Sequence, residues 1–326
     1  MQRLYFKPDF WCRCRSIDAA LGKTAGVPRS MRLNIFRILL LISLPMALAG
    51  CAKTSVIKHR SGPRIVSTDP SATQILLQIG AAKTIVGVSP WDKPLLPKSL
   101  RNLPVVGGYL HLDEELVVQL APTALILQQA PQRVEPGILA MARQNGIRIV
   151  NIKINTFHQL FTAVRTLGGI SGCQKRAATA VQVLKSELKI LAGDRPKNTP
   201  RVVYIISTRP IRVVGADNFM DQEITLAGGN NVAQRCGNGF PTITRGTLVR
   251  LNPQILLISK PGQPTVAGPA DPRLTQWLAL PIAAARARHV HLITWPQAQM
   301  LTLHVGRLIG RLRKLIHPPA RAGSMK

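Results

Sequence analysis

Residues 174–191 read QKRAATAVQVLKSELKIL, and the division of the chain turns on them. Ala177, Val181, Leu184, Leu188 and Leu191 recur at steps of 4, 3, 4 and 3, the spacing of one helix face. A helix of about 18 residues is about 27 Å long, enough to span one domain and join two. Toward the N-terminus the helical pattern reaches back to Thr156, with interruptions expected near Gly168, Gly169 and Gly172. Toward the C-terminus, residues 193–200 (GDRPKNTP) form a linker. The helix therefore stands between two segments.

Both segments alternate strand and helix. Before the helix, strands are expected at Arg64–Ser67, Thr84–Val88, Thr123–Leu127 and Ile147–Asn151. Helices fall between them at Ala72–Ile79, Leu112–Leu120 and Val134–Asn145. After it, strands are expected at Val202–Ser207, Val213–Gly215, Ile255–Ser259 and His289–Ile293. The helices there are Asp217–Ala227, Thr247–Leu251, Arg273–Leu278 and Gln299–Ile316. This alternation argues for α/β architecture with mostly parallel sheets. The halves also echo each other. Leu112 to Leu127 and Ile243 to Ile258 each give a short helix, then x-Pro, then a buried strand. The expectation is two α/β lobes joined by one long α-helix, with a ligand cleft between them. The boundaries are 64–173 for the first lobe, 174–192 for the linking helix, 193–317 for the second lobe and 318–326 for a disordered tail.

Composition narrows the function. The chain of 326 residues carries 43 Lys+Arg against 14 Asp+Glu, a formal charge of +29. Such a charge suggests a polyanion partner when it is clustered. Here no run of five basic residues occurs, and missing carboxylates account for as much of the excess as added bases. With 46% hydrophobic residues, charge-driven disorder is also excluded.

Residues 31–51 read MRLNIFRILLLISLPMALAGC. Arg32 and Arg37 precede a short apolar stretch and then small residues, the layout of a signal peptide rather than a membrane span. Leu48-Ala49-Gly50-Cys51 resembles the lipobox of bacterial lipoproteins, which places a lipid on Cys51. Residues 31–50 are then the signal and 51–63 a tether. Residues 1–30 are a misassigned start or disordered extension, and Cys12-Arg13-Cys14 lacks partners for a metal site. Without residues 1–50, 35 bases and 12 acids remain, a charge of +23. Export makes nucleic-acid work improbable. A bridge between Cys173 and Cys236 is permitted outside the cytoplasm but is not expected.

Several motifs now carry a family. They are Arg64-Ile65-Val66-Ser67 with Pro70-Ser71-Ala72-Thr73; Ile85-Val86-Gly87-Val88-Ser89; Leu103 to Leu110 (LPVVGGYL); and Leu226 to Val232 (LAGGNNV). In this order, from about Arg64 to His317, the chain resembles the class III periplasmic substrate-binding proteins of ABC importers. That group handles vitamin B12, iron-siderophores and haem. The resemblance implies a non-enzymatic binder with no cofactor of its own, small hinge motion, and an ABC permease dimer as partner. Location would be periplasmic or extracytoplasmic, with the membrane reached through the lipid on Cys51.

The resemblance also suggests site residues. Ser71, Trp91, Tyr109, Phe240 and Trp295 match cleft positions. Flat rings cover a macrocycle well and leave its edges to polar partners. Gln128 stands where some cobalamin binders have an aromatic. In haem-binding members a Tyr after Gly ligates the iron, so Tyr109 would be a metal ligand only if the ligand is haem. Glu115 matches the docking glutamate of the first lobe. The matching position of the second lobe is Gly246, with Asp221 and Glu223 as candidate substitutes. A corrinoid is the first expectation, with haem and a ferric siderophore as alternatives. A basic surface adhesion lipoprotein is the reading from a different class.

Overall fold

The computed structural model describes residues 62–108, 111–128, 131–264 and 271–318, all within the unit His59–Lys326. The first lobe carries strands β1 (Ile65–Ser67), β2 (Ile85–Val88), β3 (Ala124–Leu127) and β4 (Arg148–Asn151), in the order β2-β1-β3-β4. All are parallel, and β1 and β3 are buried throughout. Parallel sheets are covered on both faces, which is why these strands read as unbroken apolar runs. Helices α1 (Pro70–Gln78), α2 (Glu114–Gln119) and α3 (Pro136–Gln144) connect them. α1 begins two residues before the expected Ala72. Pro70 fits the first turn, where its missing N–H costs nothing, and the Asp69 side chain caps it by accepting from Ser71 N. Pro136 sets the start of α3 in the same way, two residues after the expected Val134.

The joining region is a helix pair, α4 (Phe157–Ile170) and α5 (Gln174–Gly193). Of the three glycines expected to interrupt it, only Gly172, at φ +72°, lies in the break. Gly168 and Gly169 stay helical. A Cβ at Gly168 would stand 2.4 Å from the Cβ of Ala177 on α5, so the glycine permits close helix packing rather than a stop.

The second lobe has β5 (Arg201–Thr208), β6 (Ile211–Val213), β7 (Asn230–Asn231), β8 (Ile255–Ser259) and β9 (Val290–Ile293). The sheet order is β6-β5-β8-β9, with β7 pairing β5. Only β6 is antiparallel, as the return arm of a hairpin. It ends at Val213 rather than Gly215: Val214 still donates to Tyr204 O of β5, but Gly215 turns away and donates to Gly239 O. Helices α6 (Phe219–Leu226), α7 (Arg245–Leu251), α8 (Thr275–Leu278), α9 (Ala283–Arg286) and α10 (Val305–Ile316) complete the lobe.

α10 starts six residues later than expected. Residues 295–304 form an irregular strap that reaches across to α1. Gln297 Nε2 donates to Gln74 Oε1 at 2.8 Å, and Leu303 N donates to Gln78 Oε1 at 3.0 Å. These side-chain partners replace helical backbone bonds. One hydrophobic cluster runs from Ile65 and Leu76 through Val181 and Leu184 to Ile309 and Ile316, so the lobes share a core.

The sequence echo has a structural counterpart. Arg64 donates through Nη2 to Leu120 O at 2.6 Å and through Nε to Ala121 O at 3.1 Å. Arg201 donates through Nε and Nη2 to Asn252 O at 3.2 and 3.1 Å. Ala121 and Asn252 both adopt left-handed backbone, φ 44° and 42°. In each lobe an arginine at the first strand clamps the end of the short helix before x-Pro. Cys173 and Cys236 are unpaired thiols, and Cys173 is buried.

Candidate functional site

In open α/β sheets, ligands collect beyond the carboxyl ends of the strands. Here these ends face each other between the lobes. Ser71 and Gln128 follow β1 and β3, and Ile154 and Asn155 follow β4. Opposite them stand Ile206 of β5, Phe219, Met220 and Phe240, with Gln299 and Leu301 from the strap. Together they enclose about 190 Å³. A neighbouring hollow of about 440 Å³ shares Ile206 and Gln299 and adds Ser207, Thr208, Arg209, Ser259 and Lys260. Among the described residues no carboxylate lines either space, and Lys260 Nζ donates to Thr208 Oγ1 at 3.0 Å. The cleft thus has an aromatic wall, a polar wall and a basic end.

The first-lobe wall rests on a buried polar knot. Ser71 N donates to Asp69 Oδ1 at 2.8 Å. Asp92 Oδ2 accepts from Ser89 N at 2.9 Å and Ser89 Oγ at 2.5 Å, closing the loop that carries Trp91. Thr73 Oγ1 donates to Ser67 Oγ at 2.8 Å. Burial pushes the Asp69 carboxyl up to about 6, against its bonds from the start of α1, and the charge of Asp92 adds to the rise. Burial also raises Asp92.

The second-lobe wall is set by two asparagines. Asn218 caps α6 and donates from Nδ2 to Gly215 O, Ala216 O and Gly239 O, at 3.1, 3.2 and 3.0 Å. It thereby fixes Phe219 and Phe240 to one another. Asn231 Nδ2 donates to Val214 O at 3.0 Å and Asp221 Oδ1 at 2.8 Å. Gly215 must be glycine in this arrangement, since a Cβ there would meet Gly237 O at 2.1 Å.

The structure brings Ser71 and Phe240 into one cleft. Trp295 stands elsewhere, in a cavity of about 340 Å³ with Leu95, Arg307 and Arg311. Its ring lies under the Arg311 guanidinium, 5.3 Å from the carbon to the ring centroid. Trp91 is 45% exposed and lies on Gly108, where a Cβ would stand 2.0 Å from the indole. Tyr109 and Cys51 lie outside the described residues, as do the stretches 1–61 and 319–326 assigned above to extension, signal, most of the tether and most of the tail.

Glu115 is exposed on α2 and accepts from Gln119 Nε2 at 3.3 Å. Gly246 is exposed on α7, beside Arg245. Glu223 does not substitute for it: it is 0% exposed, and burial holds its carboxyl well above the usual range. Asp221 is committed to Asn231 and Gln234. Gln299, Met220 and Phe219 were not anticipated as cleft residues.

The profile of the periplasmic binding protein family matches residues 65–292. The chain belongs to that family. Its members are substrate-binding proteins rather than enzymes, and the class III group identified here serves ABC importers. One relative is the uncharacterized ABC transporter substrate-binding lipoprotein YvrC of Bacillus subtilis, 24% identical over 219 residues, 65% of this chain and 68% of that one. Another is the cobalamin-binding protein of Halobacterium salinarum, 24% identical over 249 residues, 74% of this chain and 65% of that one. Among solved structures, the periplasmic haem-binding protein HutB of Vibrio cholerae matches with a TM-score of 0.66. The identity is 23%, covering 78% of this chain and 99% of that one. This periplasmic binding protein thus keeps the two-lobed fold of its relatives at low identity.

Proposed function

We propose that this periplasmic binding protein captures a corrinoid in the cleft between Ser71 and Phe240 and delivers it to an ABC importer. The carrying observation is the pairing of walls. Phe219 and Phe240 offer aromatic surface to a macrocycle, while Ser71, Gln128 and Asn155 face its amide edges. A cobalamin-binding protein among the relatives supports the choice. In this reading a lipid on Cys51 tethers the protein outside the cytoplasm, and Glu115 docks the first lobe to one permease subunit. The second lobe, with Gly246 and Arg245 at the corresponding place, docks without a carboxylate.

Haem is the second reading, with a ferric siderophore beside it. It is favoured by Arg209 and Lys260 at the basic end of the cleft, which suit propionates or another anionic chelate. Tyr109 would be the iron ligand.

Calorimetry with cyanocobalamin, hemin and a ferric siderophore tests both. Cyanocobalamin is expected to bind below about 10 μM, and Phe240→Ala to weaken it at least about tenfold. Hemin binding with a Soret band that Tyr109→Ala abolishes would transfer the assignment to haem. If none of the three binds below that concentration, the proposal fails. Adhesion through surface charge would instead be lost steeply with added salt.

A further inference from the structure

The cavity beside Trp295 is separate from the cleft and has a chemistry of its own. Residues Arg307 and Arg311 are four apart, on one face of α10. Both are exposed, and neither has a hydrogen bond or ion pair with any described residue. Arg311 only lies over the Trp295 ring. Like charges at this spacing oppose the helix, and among the described residues no carboxylate lines the cavity to offset them. The Glu187 carboxylate of α5 lies against Gly306, and its charge reaches the rim residue His304. The Nδ1 of His304 is already engaged with Gln78 Nε2 at 3.1 Å. The wall also carries apolar Leu95, Met300, Val305 and Leu308, with Gln297 and Thr302 as its other polar members.

Two guanidinium groups without acidic partners call for a ligand of nearly two negative charges, and their planar forks fit phosphate oxygens. A phosphate monoester carries about −1.5 to −2 at neutral pH. The indole and the apolar side chains of this mixed wall suit a small hydrophobic body attached to that head. We propose that this cavity is a second ligand site, which takes an organic phosphate. The phosphate sits between Arg307 and Arg311, and its apolar part lies against Trp295, Leu95 and Met300. The site is independent of the corrinoid reading, because it shares no lining residue with the cleft.

Phenyl phosphate is the probe, titrated into the full chain and followed by calorimetry and tryptophan fluorescence. Saturable binding is expected below about 1 mM, with a fluorescence change that Trp295→Phe removes. The double variant Arg307→Gln/Arg311→Gln is expected to bind at least about tenfold more weakly. Lys175→Gln, which deletes a charge elsewhere, leaves binding unchanged, and circular dichroism confirms that the variants fold. Inorganic phosphate is expected to bind more weakly than phenyl phosphate. Vesicles of phosphatidylglycerol against phosphatidylcholine identify the source: arginine-dependent binding to the former alone makes the ligand a lipid headgroup, and its absence makes it a soluble ester. Undiminished binding in the double variant, equal binding of inorganic phosphate, or no saturation by about 1 mM overturns the proposal.

Discussion

Asp69 shows how one side chain serves both the fold and the site. It starts α1, holds the backbone of Ser71 at the cleft, and is 1% exposed, with Oδ2 lacking a partner. Its carboxyl is raised to about 6, so the folded state holds the proton more tightly than the unfolded chain. The contribution of Asp69 to stability is therefore greatest below about pH 4, falls as pH rises through about 6, and then levels, a change of about 3 kcal/mol from this group. Asparagine caps helices as well as aspartate does. Asp69→Asn is expected to remove this slope and to be more stable than the parent at pH 7.5. Urea unfolding of both proteins at pH 4.5 and 7.5 measures it, and an equal difference at the two pH values would sink the account. At this scale Ser71 and Phe240 were legible, because they sit in motifs next to strand ends. Gln299 was not. It was assigned to a helix, and it reaches the cleft only because Gln74 and Gln78 hold the strap in an irregular path.

The helices show where local rules are overridden. Gly168 and Gly169 read as stops, since glycine weakens helices. Contact with α5 decides otherwise. Gly168→Ala is expected to destabilise by about 1–3 kcal/mol, because Ala177 has no flexible end that can move aside. Gly169→Ala, where nothing lies within 4 Å of the new Cβ, is expected to stabilise by about 0.4–1 kcal/mol. Chemical denaturation separates the two, and shifts of the same sign would show that packing does not govern this pair. Most element types were legible because buried parallel strands and capped helices leave strong local patterns. The short α9 and the β7 pairing were missed, being four and two residues long. The arginine clamps give the repeated x-Pro segments their physical meaning: each neutralises carbonyls at a left-handed helix end that would otherwise lack donors.

At the scale of the molecule, the charge of +29 is spread, not paired. Among the described residues only Arg273–Asp271 and Arg313–Asp194 close ion pairs. The lobes are joined by more than α5. The strap of the second lobe binds α1 of the first, while Arg313 Nη2 fastens α5 to the second lobe through Leu191 O at 2.8 Å and Leu226 O at 2.9 Å. The double variant Gln74→Ala/Gln78→Ala is expected to leave both sheets protected while speeding amide exchange in residues 295–304 at least about tenfold. Unchanged exchange there would mean that the hydrophobic cluster alone holds the strap. The sequence periodicity could not show this strap, since its partners lie more than 220 residues away. That separation also orders assembly in time. A ribosome must pass residue 303 before Gln297 and Leu303 both exist to meet α1. Contacts so distant carry a high loop-closure cost, and a copy truncated before residue 295 has no Gln299 or Leu301 to complete the cleft. Completion of the cleft thereby depends on synthesis having passed residue 301.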